Sequence, residues 1–141
     1  MSTIRLPAAP ASPREARRFV AAELARAGYG NPDAALVIVS ELVTNVWQHG
    51  GHGTLQVTVR IEPGEWAQLE VRDDEAAPGQ PPAFPATPPP ADAEHGRGLL
   101  LVSQLAGDCG SDGHGTTWAR LPWTSAPRAG TGALLTTGGT R

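Results

Sequence analysis

The stretch Asn31–His49, NPDAALVIVSELVTNVWQH, carries the clearest structural pattern in the 141-residue chain. Its apolar residues recur at intervals of three and four, which places them on one side of an α-helix. They are Leu36, Val39, Val43 and Val46. Asn31-Pro32-Asp33 is a typical helix start, and Gly50-Gly51 is a typical helix end. The stretch therefore predicts one long amphipathic helix with a buried apolar stripe.

Three polar residues of this helix, Glu41, Asn45 and His49, are spaced four residues apart. This spacing aligns a carboxylate, a carboxamide and an imidazole along one helical edge, next to the apolar stripe. Asn45 offers an oxygen ligand to Mg2+, and Glu41 can deprotonate a water or hydroxyl near a terminal phosphate. The same spacing also fits the solvated side of an ordinary amphipathic helix, so the trio alone leaves both interpretations open.

The flanking sequence predicts two more helices. The first has Ser12 as its expected N-cap and Pro13 at the first helical position, and it ends at Gly28. The second spans Gly98–Leu105, where a helical apolar pattern resumes.

Three segments have the pattern of β-strands. Thr54–Ile61 and Trp66–Arg72 alternate apolar and polar residues on either side of the turn Glu62–Glu65, which predicts a hairpin. Thr116–Leu121 predicts a closing strand.

Two segments lack such periodicity. Asp74–Glu94 is rich in Pro, Ala and Gly, and a loop of that length is typical of a lid or of disorder. Thr124–Arg141 has little apolar surface to bury, so we expect a disordered tail. The predicted organisation is one domain over residues 12–123, with the lid at about 74–95, followed by a tail over residues 124–141.

Composition excludes several classes of mechanism. All 11 basic residues are arginines, so a Walker A loop, a eukaryotic-type protein kinase and a pyridoxal enzyme are excluded, since each needs a lysine. The net charge is -3 and the arginines are scattered, which argues against direct nucleic-acid binding. Cys109 is the single cysteine, and neither a signal peptide nor a run of 18 apolar residues is visible. We therefore expect a soluble cytoplasmic protein without membrane contact.

Two further features suggest a nucleotide site. The segment Glu94–Val102, EHGRGLLLV, introduces two glycines directly before an apolar helix, where backbone amides can approach phosphate oxygens; a simple hinge fits equally well. Asp73 and Asp74 form a carboxylate pair at the end of a predicted strand. Asp73 can accept a hydrogen bond from an exocyclic amine such as that of adenine, although two acids at an exposed strand end would also account for the pair.

Four motifs in order resemble the GHKL ATPase superfamily of gyrase, heat-shock-chaperone, histidine-kinase and mismatch-repair ATPases. They are ELVTN at Glu41–Asn45, VRD at Val71–Asp73, GRGL at Gly96–Leu99 and GHGTT at Gly113–Thr117. The short single domain most resembles the stand-alone anti-sigma-factor serine kinases. The resemblance covers about residues 12–121.

This resemblance implies a Bergerat-type fold, an α/β (α+β) two-layer sandwich in which helices cover one face of a mostly antiparallel sheet, with ATP and Mg2+ as cofactors. It makes Glu41 the general base and Asn45 the Mg2+ ligand, with His49 as a second-rank candidate. The other nucleotide-binding residues that it implies are Asp73 at the adenine, Gly96, Arg97, Gly98 and Leu99 at the phosphates, and Thr116 or Thr117 in a water-linked contact with Asp73.

The chain departs from the family pattern twice. Asp73 is followed by Asp74-Glu75-Ala76-Ala77, where the family often has glycines, and Gly115-Thr116 stands where close relatives often carry Gly-Lys-Thr. The resemblance implies a regulatory kinase that phosphorylates an anti-sigma-antagonist protein, with a sigma factor as a further partner and a homodimer as its assembly. The alternatives are an ATP-dependent binding switch without phosphoryl transfer and a hydrolytic metal enzyme that uses His49, His52 and Asp73.

Overall fold

The computed structural model describes residues 1–49, 53–76 and 97–126, and within them it contains five strands and three helices. The strands are β1 (Ser2–Pro7), β2 (Thr54–Glu62), β3 (Trp66–Asp73), β4 (Asp108–Ser111) and β5 (Thr116–Pro122). They form one antiparallel sheet in the order β1-β2-β3-β5-β4. The predicted hairpin and the predicted closing strand are confirmed.

The helices are α1 (Ser12–Arg26), α2 (Asp33–His49) and α3 (Arg97–Leu105). α1 packs on β1 and β2, α2 on β3 and β5, and α3 on β4 and β5, while α2 contacts both other helices. The helices therefore form one layer in the order α1-α2-α3 across one side of the sheet. This architecture confirms the predicted two-layer α+β fold.

Strand alternation and helical periodicity meet in the core. Every second residue of β3, and of β2 from Leu55 to Val59, is buried on the side that faces the helices, and the register sets Val57 opposite Val71. The buried residues of α2 are Ala35, Ile38, Val39, Leu42, Val43 and Val46. Leu36, predicted to belong to this stripe, is only partly buried, because Ile38 and Leu42 occupy the side that faces the sheet. Full burial of each large side chain contributes about 1.5–3 kcal/mol.

The start of α1 differs from the prediction. Ala11 occupies the N-cap position and makes no side-chain cap bond, whereas Ser12 is the first helical residue. The Ser12 hydroxyl is buried and donates to the carbonyl oxygen of Pro7. Ser12 therefore connects β1 to α1 instead of capping the helix.

Two edge strands were not predicted. β1 precedes Ser12, so the sheet extends beyond the predicted domain start; only Ile4 and Leu6 of β1 are large apolar residues, too few to define an alternation. β4 is only four residues long, DCGS, and has no apolar periodicity. Short, polar strands are common at sheet edges, where they disfavour pairing with another chain.

The first residues of the predicted tail are also ordered. The Gly30 amide donates to the Thr124 carbonyl at 2.6 Å, and the Ala126 amide donates to the Gly28 carbonyl at 2.8 Å. Next to them the Tyr29 and Trp123 rings pack edge to face at 5.2 Å. The prediction of disorder is therefore wrong for residues 124–126, because backbone bonds to Gly28 and Gly30 hold them. Residues 127–141, and all of the predicted lid except residues 74–76, lie outside the described residues.

No helix in the described ranges is both long and apolar enough to span a membrane.

Removing apolar surface from β1 tests whether this strand belongs to the folding unit. Leu6→Ala should lower the free energy of unfolding by about 2 kcal/mol, the low end for a buried leucine, because Leu6 lies on an edge strand. Thr3→Ala, on the outer side of the same strand, should stay within about 0.5 kcal/mol of the wild type. Urea unfolding of the two variants measures the difference. If Leu6→Ala is as stable as Thr3→Ala and the wild type, β1 is dispensable for folding.

Candidate functional site

Three predicted residues lie at one end of the sheet, which we call the Asp73 end. Asp73 is the last residue of β3, and its amide donates to the Gly115 carbonyl at 2.9 Å. Thr116 and Thr117 are the first residues of β5, where Thr117 is paired with Val71. Asp73 and its two suggested partners, Thr116 and Thr117, are therefore within two residues of each other along the β3–β5 ladder.

The connections bring α2 and α3 to the same end. α2 ends at His49, only five residues before β2 begins at Thr54. The next residue of β2, Leu55, is paired with Asp73. At the other end of the sheet, the Gly107 amide, just after α3, donates to the Arg120 carbonyl at 2.8 Å. Because α3 packs along β4 and β5, its first residues lie toward the Asp73 end.

The orientation of α2 follows from its contacts. Arg17 of α1 donates from Nη1 to the Ser40 hydroxyl at 2.7 Å, so Ser40 marks the side of α2 that faces α1. At about 100° per residue, Glu41 and Asn45 lie across the sheet-facing stripe from Ser40, on the side of α3. Both are partly buried, whereas His49 is exposed at the helix end. The structure therefore directs the predicted acid and amide toward α3.

Asp73 is turned toward the helices. It shares the helix-facing side of β3 with Leu69 and Val71 and is only 8% exposed. Its Oδ1 accepts a hydrogen bond from the Glu75 amide at 2.9 Å. A buried carboxylate between sheet and helices can accept a hydrogen bond from a polar group that enters there, as an adenine amine would.

The structure separates the two threonine candidates. Thr117 is buried on the helix-facing side, the same side as Asp73, whereas Thr116 is opposite Arg72 on the outer side. The Thr116 amide instead donates to Asp112 Oδ1 at 3.0 Å. Of the pair, Thr117 is the one whose placement fits a contact shared with Asp73.

Asp112 organises the turn between β4 and β5. Besides Thr116, the His114 amide donates to its Oδ1 at 2.7 Å. Partial burial raises the pKa of the Asp112 carboxyl, but these amide bonds, a bond from the Thr116 side chain and the charge of His114 together bring that pKa below its usual range. The Ser-Asp-Gly sequence before His114 is typical of such a turn and is the signal that could have indicated this role.

Asp73 and Asp74 point to opposite sides of the sheet. On the outer side, Asp74 accepts from the Thr54 hydroxyl at 2.6 Å, from Gln56 Nε2 at 2.9 Å and from Arg5 Nε at 3.3 Å. The Thr54 bond is the largest cause of a lowered pKa for the Asp74 carboxyl; Gln56 and Arg5 lower it further, against a smaller effect of burial. The two acids are therefore not one carboxylate pair.

Asp73 is not followed by glycines, but the facing loop between β4 and β5 contains Gly115. Gly115 has a φ of +94°, and a Cβ placed on it would lie 2.7 Å from the Cβ of Ala76 and 3.0 Å from the carbonyl oxygen of Asp73. Such distances are too short for any side chain, so the β4–β5 turn can approach the end of β3 only with glycine at this position. Sequence reasoning named Gly115 in a motif but not this contact.

The remaining predicted residues are only partly visible. Arg97 and Gly98 begin α3, and the Leu99 side chain is part of the hydrophobic core. Gly96 and His52 lie outside the described residues, so the phosphate loop and the proposed metal triad stay predictions. Among the described residues no group of three or more His, Cys, Asp or Glu side chains is placed to hold a metal ion.

A family model described as histidine kinase-like ATPase domain matches residues 6–123, from β1 to the residue after β5. No curated protein matches the chain.

A pair of glycine substitutions tests the contact between the two loops. Gly113→Ala and Gly115→Ala both place a side chain at positive φ, which costs roughly 1–2 kcal/mol. Gly113 has open space around its Cβ position, so only Gly115→Ala should add a steric cost, on the order of 1–3 kcal/mol. Urea unfolding should therefore give the lower midpoint for Gly115→Ala. Equal midpoints would mean that the turn does not press on the end of β3.

Proposed function

The chain belongs to the histidine kinase-like ATPase domain family, and on that premise we propose that it is a regulatory protein serine kinase that uses Mg-ATP. Membership of this family implies ATP binding. The observation that carries the proposal is the convergence at the Asp73 end of a buried carboxylate, the Glu41–Asn45 edge of α2 and the start of α3. A kinase of this type works where cytoplasmic ATP is available, so we place the protein in the cytoplasm.

The residues fit an ATP molecule that lies between the sheet and the helices. Asp73 would accept a hydrogen bond from the adenine amine, and Thr117, on the same side of the neighbouring strand, would support this contact through a water molecule. The backbone amides at the start of α3 would bind the phosphates, as a helix N-terminus favours. Asn45 would supply an oxygen ligand for Mg2+. Bound Mg2+ would neutralise charge on the phosphates.

Phosphoryl transfer in this proposal depends on Glu41. Its carboxylate accepts the proton of a serine hydroxyl on the partner as the serine oxygen bonds to the terminal phosphorus and ADP leaves. Partial burial of Glu41 beside α3 is compatible with a base that meets a partner at the edge of the site. The buried stripe of α2 sets the rotation of the helix, and the Arg17–Ser40 hydrogen bond on the side of α1 is consistent with Glu41 facing α3.

The resemblance to the stand-alone anti-sigma-factor kinases suggests the partner. On that basis we propose that the phosphorylated serine belongs to an anti-sigma-antagonist protein, that a sigma factor is the regulated target and that the kinase acts as a homodimer. These assignments rest on the resemblance and not on a contact in the structure.

A second function is favoured by the absence of lysine from the whole chain. Gly115-Thr116 stands where close relatives often carry Gly-Lys-Thr, so one cation near the phosphates is missing at this position. ATP binding without transfer would then order the site and let the protein capture a partner. The same residues bind the nucleotide in both functions, and only the role of Glu41 differs.

Two substitutions on α2 distinguish these functions. Glu41→Gln should bind ATP within about threefold of the wild type but should transfer phosphate to an anti-sigma-antagonist protein roughly 10²-fold to 10⁴-fold more slowly, the usual contribution of a general base. Asn45→Ala should lose the dependence of ATP binding on Mg2+, because its side-chain oxygen is the proposed ligand. Calorimetry measures binding, and labelled ATP measures transfer.

Glu15→Gln is the matched control, since it makes the same chemical change on an exposed position of α1. It should match the wild type in both assays. Transfer by Glu41→Gln at the wild-type rate, or no transfer by the wild type itself, would favour the binding switch over the kinase.

A further inference from the structure

The strongest polar cluster outside the residues implied by the family lies on the outer side of the sheet, directly behind the site. Asp74 there joins the side chains of three residues from the two neighbouring strands, Thr54 and Gln56 of β2 and Arg5 of β1. We call this cluster the Asp74 clamp. None of the roles that the family resemblance implies is assigned to Asp74.

The backbone next to the clamp connects it to Asp73. The Asp74 amide donates to the Thr54 carbonyl at 3.1 Å, the last backbone bond between this segment and β2. The following residue, Glu75, donates its amide to Asp73 Oδ1 at 2.9 Å, and Ala76 donates its amide to the Asp73 carbonyl at 3.3 Å. Asp74, whose side chain is clamped, is therefore the first central residue of the turn Asp73–Ala76.

The clamp also constrains this turn from outside the segment. Neither Glu75 nor Ala76 is a glycine or proline, so the local turn signal comes from Asp73 and Asp74, and the clamp adds a constraint from the neighbouring strands. Neighbouring residues of an extended strand point to opposite sides, so a side chain held on the outer side keeps its neighbour on the helix-facing side. Asp74 is an ionised acceptor, and hydrogen bonds to an ionised acceptor are stronger than bonds between neutral groups.

We propose that Asp74 is a positioning residue for nucleotide recognition: through Thr54, Gln56 and Arg5 it fixes the turn that presents the Asp73 carboxylate to the adenine amine. This inference rests on the proposed function, because it assumes that Asp73 reads the base. It assigns base selectivity to residues on the opposite side of the sheet from the ligand. Thr54 makes the shortest of the three bonds and is expected to contribute most, while Arg5, at 3.3 Å, is expected to contribute least.

The test compares binding of ATP with binding of inosine triphosphate, which carries a carbonyl in place of the adenine amine. Asp73→Asn should abolish the preference for ATP. Asp74→Ala should reduce that preference roughly fivefold to tenfold, as expected for a weakened hydrogen bond, although Asp74 touches no nucleotide. Thr54→Val keeps the shape of the side chain but removes the donor, and it should reproduce most of this loss even if Asp74→Ala folds poorly.

Glu70→Gln is the matched control. Glu70 lies on the same outer side of β3 and accepts from Arg60 at 2.6 Å and from Gln68 at 2.7 Å, but it belongs to the middle of the strand. It should leave the ratio of ATP to inosine triphosphate affinity unchanged. The melting temperature of each variant reports its stability. A purely structural role would weaken the binding of both nucleotides equally and leave the ratio of their affinities unchanged.

The outcomes separate the two proposals. A wild type that binds ATP selectively, together with Asp74→Ala and Thr54→Val variants that keep the full preference, would overturn the role of Asp74 and leave the nucleotide site intact. A wild type that binds neither nucleotide would overturn the proposed function and the inference with it. A reduced ratio in both variants, with Glu70→Gln unchanged, is the result that the structure predicts.

Discussion

The packing of the α2 apolar stripe against the helix-facing side of β3 and β5 is the constraint on which the other features of the molecule depend. Strand alternation and helical periodicity both apply there. Each places a polar residue at the site and apolar residues in the core. Strand alternation puts Asp73 on the same side as Val71, and helical periodicity puts Asn45 beside Leu42. A register slip of one residue in β3 would turn Asp73 outward and Asp74 inward, so the core and the site have to be correct together.

The end of β3 departs from the pattern of the resembled family, because Asp73 is not followed by glycines. On the outer side of this turn Asp74 is bonded to Thr54, Gln56 and Arg5, and on the facing loop Gly115 allows a close approach to Asp73 and Ala76. These contacts come from residues of other strands and loops, which a motif comparison along one segment does not reveal.

The sequence predicted what periodicity encodes locally. The three helices, the hairpin and β5 followed from apolar spacing, and the two-layer fold followed from the resemblance. β1 and β4 were missed because an edge strand needs only a few buried side chains. The order of residues 124–126 was missed because it depends on backbone bonds to Gly28 and Gly30, which are far away in sequence. At the site, the motif named Asp73 and Thr117, but the opposite directions of Asp73 and Asp74 and the contact at Gly115 require the strand register, which no single segment encodes.

Amide chemical shifts measured during a titration with Mg-ATP would show whether nucleotide binds at the Asp73 end of the sheet. We expect large shifts for Glu75, Gly115 and Thr117 and for the last turns of α2. Residues at the other end of the sheet, such as Gly64 and Gly107, should stay at their positions in the spectrum. Unchanged spectra at saturating Mg-ATP, or shifts confined to the end with Gly64, would contradict binding at the Asp73 end.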